Sequence, residues 1–138
     1  MGDLNKFLTF LVDDDSMMLT AYQQHMGNEF GENFEAMAFQ TGEACIEKLY
    51  LKPDVIFLDY YLDGVDPEAE NGLKTLEKIK VENSEIRVIM LSGQDGFGTA
   101  AQTLLKGAED YIIKDANAMA KAENMIKDMM QEKVDNAI

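Results

Sequence analysis

The feature that most constrains this chain is an alternation: short apolar runs take turns with stretches of helical spacing, five times over. FLTFLV (7–12), FEAMAFQ (34–40), VIFLD (55–59), VIML (88–91) and DYIIK (110–114) read as strands. Residues 16–27, 41–50, 71–83, 96–107 and 116–135 carry helical patterns. Ser16 and Thr41 stand where N-caps belong, and Leu73, Leu76 and Ile79 share one helical face. Strands alternating with helices imply an α/β fold, a doubly wound parallel sheet covered on both faces. With 138 residues and no linker or repeat, a single domain over 1–138 is expected. The irregular piece is DGVDPEAENG (63–72), an acidic loop too polar for a core.

Composition narrows the partners. Apolar residues at 46% and charged residues at 28% suit a globular chain rather than a disordered one. A net charge of -14 opposes phosphate backbones and anionic bilayers, so neither direct nucleic-acid binding nor membrane binding is expected. MGDLNK has neither a basic start nor an apolar core for a signal peptide, and Lys6 breaks the myristoylation pattern. No apolar run approaches the roughly 18 residues of a membrane span. A cytoplasmic location is the expectation. Cys45 is the sole cysteine and sits in an apolar-periodic stretch, which reads as a buried structural thiol.

The first strand runs straight into Asp13, Asp14 and Asp15. Crowded anions repel, and a buried carboxylate costs several kcal/mol unless compensated. In doubly wound sheets ligands bind beyond the carboxyl ends of the strands. The residues at those ends are Asp13 and Asp14 after the first strand, Asp59 at the third, Ser92 at the fourth and Lys114 at the fifth. Carboxylates gathered in one crevice either raise each other's pKa or hold a hard cation, and magnesium takes oxygen ligands and leaves positions for phosphate oxygens. A hydroxyl and an ammonium beside such a cation complete a site for a phosphoryl group, with a carboxylate as nucleophile.

This set, carried in LVDDDS, VIFLDYYL, VIMLSG and GAEDYIIKD, resembles the receiver domain of bacterial two-component response regulators over nearly the whole chain. The resemblance implies a five-stranded sheet in the flavodoxin-like order 2-1-3-4-5. It makes Asp59 the phosphoacceptor and Mg2+ the cofactor, held by Asp13, Asp14, Asp59 and the backbone carbonyl of Tyr61. Ser92 would hydrogen-bond the phosphoryl group, Lys114 would pair with it, and Tyr111 would be the switch aromatic that follows Ser92. The donor would be a histidine kinase or a phosphotransfer protein. The signal would leave through the face of the fourth helix, fifth strand and fifth helix, around 96–106 and 111–125, to a downstream protein. Such a chain is a switch that catalyses its own phosphorylation and dephosphorylation and turns over no separate substrate.

Three features depart from that pattern. Asp115 replaces the usual proline after the lysine, so a trans peptide is expected there. The loop LDGVDPEAENG is about five residues longer than the resemblance implies, an insertion that a surface tolerates at little cost. Tyr61, with Gln94, is bulky where water would approach the phosphoryl group, which suggests slow hydrolysis. Asp15 suits the first helix N-terminus better than a metal.

Other readings fit less well. Asp59, Asp63, Gly64 and Glu70 match some EF-hand positions, but Tyr61 and Asp66 break the pattern and a strand precedes it. A flavodoxin-type phosphate cradle is incompatible with three leading aspartates. A magnesium-dependent phosphatase with an aspartyl nucleophile needs a second acid where Tyr61 stands. A pseudo-receiver that only docks would share the fold without the chemistry. His25, the only histidine, suits a solvent-facing or helix-terminal position, and the methionines, Met125, Met129 and Met130 among them, suit packing.

Overall fold

The computed structural model describes residues 6–62, 71–93 and 97–137. Its strands are β1 (Phe7–Val12), β2 (Phe34–Phe39), β3 (Val55–Asp59), β4 (Arg87–Ser92) and β5 (Asp110–Ile113). Its helices are α1 (Ser16–Phe30), α2 (Gly42–Glu47), α3 (Gly72–Glu82), α4 (Phe97–Leu105) and α5 (Ala118–Asn136). The strands form one parallel sheet in the order β2-β1-β3-β4-β5.

The apolar runs are continuous because both sheet faces are covered. Side chains alternate along a strand. Phe7, Leu11, Val55, Phe57, Ile89 and Leu91 therefore meet Leu19, Tyr22 and Met26 of α1 and Ala122, Ile126 and Met129 of α5. Phe10, Val12, Ile56, Leu58, Val88 and Met90 meet Cys45 of α2 and Leu76 and Ile79 of α3. Burial pushes the Cys45 thiol up to about 12, so it stays protonated and inert. β2 is an edge strand, and beyond Phe34 its residues are half-buried or, at Glu35, exposed. On that edge the Gln23 side-chain amide donates to the Ala36 carbonyl at 2.9 Å.

Element ends differ from the expectation in ways that have local causes. Asp15, not Ser16, caps α1: its Oδ1 accepts from the amides of Met17 (3.0 Å) and Met18 (3.2 Å). Gly27 does not end the helix; Gly31 does, at φ 72°, a left-handed value that suits glycine, with its amide bonded to the Gly27 carbonyl. α2 stops at Glu47, and a 3-10 turn over Leu49–Leu51 leads to left-handed Lys52 (φ 55°). Pro53 follows, and a residue before proline avoids the right-handed helical region. Of the acidic stretch 63–72, residues 63–70 lie outside the described residues. Asn71 caps α3 and Gly72 opens it.

Candidate functional site

A parallel sheet sends every strand's carboxyl end to the same rim, so residues far apart in sequence meet there. Asp13 follows β1 directly and is 3% exposed. Its amide donates to the Phe39 carbonyl at 3.0 Å and its Oδ1 accepts from the Asp15 amide at 2.9 Å. Asp59 is the last residue of β3 and is 5% exposed. Its Oδ1 accepts from the Tyr61 amide at 3.4 Å. Asp14 is half-buried, and its carbonyl accepts from the Gln40 side chain at 3.4 Å. One oxygen each from Asp13, Asp14 and Asp59 lies within 4.8 Å of the others.

One cation sits among them. Lys114 leaves β5 with its amide bonded to the Ser92 carbonyl at 2.9 Å, which ties it to the end of β4. Its Nζ donates to Asp13 Oδ2 at 2.6 Å and to Asp59 Oδ2 at 3.1 Å. Ser92, the last residue of β4, is fully buried.

This geometry sets the charge states. Burial raises the Asp59 pKa, and the Asp13 charge adds to the rise. The ammonium of Lys114 and the Tyr61 amide oppose it, yet the value is still pushed up to about 6. Lys114 lies closer to Asp13, which leaves Asp59 the less compensated of the two. Burial works against the charge of Lys114, but its bonds and its attraction to Asp13 and Asp59 outweigh that and raise its pKa. Asp13, Asp14 and Asp59 together offer oxygen ligands only. That donor set suits a hard divalent cation and not a soft one.

The remaining residues from the sequence fall nearby in different ways. Tyr61 turns its ring outward, 47% exposed and edge-on to Tyr60 at 4.9 Å. Tyr111 lies in β5, half-buried against the cluster that α2 and α3 cover. The Lys114–Asp115 peptide is trans, as is every peptide among the described residues. Gln94 lies outside the described residues. His25 faces solvent, as expected, though not at a helix end; its Nδ1 meets Glu123 Oε2 of α5 at 2.7 Å.

Three neighbours escaped the sequence reading. Gln40 holds the Asp14 carbonyl, and the Gly72 amide donates to the Tyr60 carbonyl at 2.6 Å. Tyr22 of α1 feels the site's charges: burial raises its pKa, Lys114 lowers it, and Asp13 and Asp59 raise it. A glutamine next to the Thr41 cap and a glycine at a helix start were the available signals.

Residues 9–135 match the family model described as the response regulator receiver domain. The chain is 33% identical over 88 residues to the nitrogen assimilation regulatory protein NtrX of Azorhizobium caulinodans, an alignment covering 63% of this chain and 19% of that protein. It is 28% identical over 109 residues to the chemotaxis protein CheY of Listeria monocytogenes, covering 78% of this chain and 86% of that one. Among solved structures, a CheY-like response regulator receiver domain protein from Methanospirillum hungatei superposes with a TM-score of 0.79 at 22% identity, covering 95% of this chain and 98% of that one. No described helix is long and apolar enough to cross a membrane.

Proposed function

This chain belongs to the response regulator receiver domain family, and on that premise we propose that Asp59 is its phosphoacceptor in two-component signalling. The single observation that carries the assignment is the shared ammonium: Lys114 bridges Asp13 and Asp59 while Asp14 completes a group of three carboxylates. Asp59 is the member of that group that ends a strand, with its carboxylate buried and its pKa raised by that burial.

Asp13, Asp14 and Asp59 would hold Mg2+, with the Tyr61 carbonyl as a further ligand. The bound cation would neutralise charge on the transferring phosphoryl oxygens and keep Asp59 ionised. An Asp59 carboxylate oxygen attacks phosphorus as the bond from phosphorus to the donor's imidazole nitrogen breaks. The imidazole keeps the electron pair and takes up a proton, and Asp59 becomes an aspartyl phosphate. Lys114 pairs with the new phosphoryl oxygens, and Ser92 hydrogen-bonds to them. Movement of Ser92 toward the phosphoryl group makes room for Tyr111 to turn inward, which changes the surface of α4, β5 and α5. A histidine kinase or phosphotransfer protein is the donor, a downstream protein reads that surface, and the exchange takes place in the cytoplasm. Hydrolysis of the aspartyl phosphate by water resets the chain without a separate substrate.

Incubation with a small acyl phosphate and Mg2+ should add one phosphoryl mass to the intact protein, and none to Asp59→Ala. A wild-type chain that stays unmodified under those conditions, while still binding a partner, would make it a docking module instead.

A further inference from the structure

We propose that Gly72 is a positioning residue for the cation site: its amide and its missing side chain hold the backbone after Asp59 so that the Tyr61 carbonyl faces the ion. The inference rests on the reading of this rim as a cation-dependent phosphoryl-accepting site.

The first turn of a helix leaves amides without intrahelical partners. In α3 the Gly72 amide finds one in the Tyr60 carbonyl at 2.6 Å, so the helix end is satisfied by the very turn that follows Asp59. A Cβ on residue 72 would collide with the Asp59 carbonyl oxygen and come within 2.8 Å of Tyr60 Cα. Those are backbone atoms, which cannot swing aside as a flexible side chain would. α3 therefore seats directly on the main chain of Asp59 and Tyr60, and only glycine allows that approach.

The rest of the turn is fixed as well. The Tyr61 amide donates to Asp59 Oδ1 at 3.4 Å, and the Leu62 side chain is wholly buried among Phe10, Ile56 and Leu76. The Tyr61 carbonyl thus lies between two anchored points. Freeing the Tyr60 carbonyl from Gly72 releases one of them.

A second glycine keeps α3 in place. Gly42 opens α2 against Thr75 of α3; a Cβ there would reach 2.9 Å from Thr75 Cβ and Cγ2 and strike its hydroxyl. Thr75 is fully buried, and its hydroxyl donates to the Asn71 carbonyl at 3.2 Å. A push at Gly42 reaches Gly72 through one helical turn.

Calorimetric titration of Mg2+ into the unphosphorylated protein tests this, alongside the Mg2+ dependence of phosphorylation by a small acyl phosphate. Loss of a group that orients a metal ligand commonly weakens binding about 10–100-fold, and Gly72→Ala should fall in that range. The Mg2+ concentration for half-maximal phosphorylation should rise in step. Gly42→Ala should shift affinity in the same direction by less, and adding Thr75→Ala to it should move affinity back toward wild type. A folded Gly72→Ala that has a lower Tm but unchanged Mg2+ affinity overturns the proposal. Should Gly72→Ala not fold, unchanged affinity in Gly42→Ala overturns it equally. A wild-type chain that binds no Mg2+ would sink the phosphoacceptor reading itself, and this inference with it.

Discussion

At the amino-terminal rim of the sheet, Asp54 accepts from the Leu8 amide at 2.8 Å and from Lys133 of α5 at 3.1 Å. Arg87 reaches Glu109 at 2.7 Å and Glu132 at 2.9 Å. At the carboxyl-terminal, or upper, rim, Lys114 bridges Asp13 and Asp59, with Asp14 close by. Each of those lower-rim acids has a cation within 3.1 Å, as Asp13 and Asp59 do, but the side chains there are a quarter to more than half exposed. Such pairs tie α5 and β5 to the sheet and are individually worth little, about 0–1 kcal/mol. The upper rim instead encloses its pairs, with the Asp13 and Asp59 side chains 4% and 7% exposed. The two rims thus carry the same kind of pair, solvated at one and enclosed at the other.

The sharpest way to break this contrast is to remove the upper rim's cation. Lys114→Met leaves two buried carboxylates without their shared ammonium, and breaking such a pair costs about 3–5 kcal/mol. The loss should appear in urea unfolding with EDTA and shrink when Mg2+ is added. A variant equally stable with and without Mg2+ would mean that the carboxylates do not need a cation.

Asp59→Asn should move stability the other way. The folded pKa of Asp59, about 6, lies above its ordinary 3.8 because burial penalises the charge. Its favourable contribution is therefore fully present below about pH 4 and lost as pH rises through about 6. Without divalent cations, the neutral amide should gain up to about 3 kcal/mol at pH 8, fading toward pH 4. A gain independent of pH would contradict the buried-charge account.

Arg87→Ala tests the lower rim. The side chain is a third exposed, so a loss of about 1 kcal/mol is expected, weakened further by salt. Mg2+ affinity and phosphorylation should stay as in the wild type; a change in either would show that the rims communicate. The smallest effect is expected from Tyr61→Asn. It should shorten the lifetime of the phosphoprotein several-fold by opening the approach of water, and an unchanged lifetime would confine Tyr61 to contacts with Tyr60.

The sequence showed the sheet well because a strand buried on both faces needs an unbroken apolar run, and VIFL (55–58) is one. It showed the rim for a related reason: Asp59 and Ser92 are the polar residues that end two such runs, and Lys114 follows a third. What it could not show depends on distance rather than on residue type. Asp15 and Ser16 both offer a capping oxygen, and only the φ and ψ of Asp15 decide between them. Gly27 and Gly31 look alike in the sequence, but only Gly31 takes positive φ. Gly42 and Gly72 matter through what would collide with them, which appears only once α2, α3 and β3 are brought together. The closer approach of Lys114 to Asp13 than to Asp59 has no counterpart in the sequence at all.

The amide of Gln23 on the Ala36 carbonyl also shapes how this protein can meet others. An unclosed strand margin invites a foreign peptide to zip on by main-chain pairing. Here one acceptor along β2 already has a resident donor lent by α1, so an incoming strand would have to evict it. Recruitment by sheet extension is thereby discouraged on that flank, as is sticking between copies of the chain.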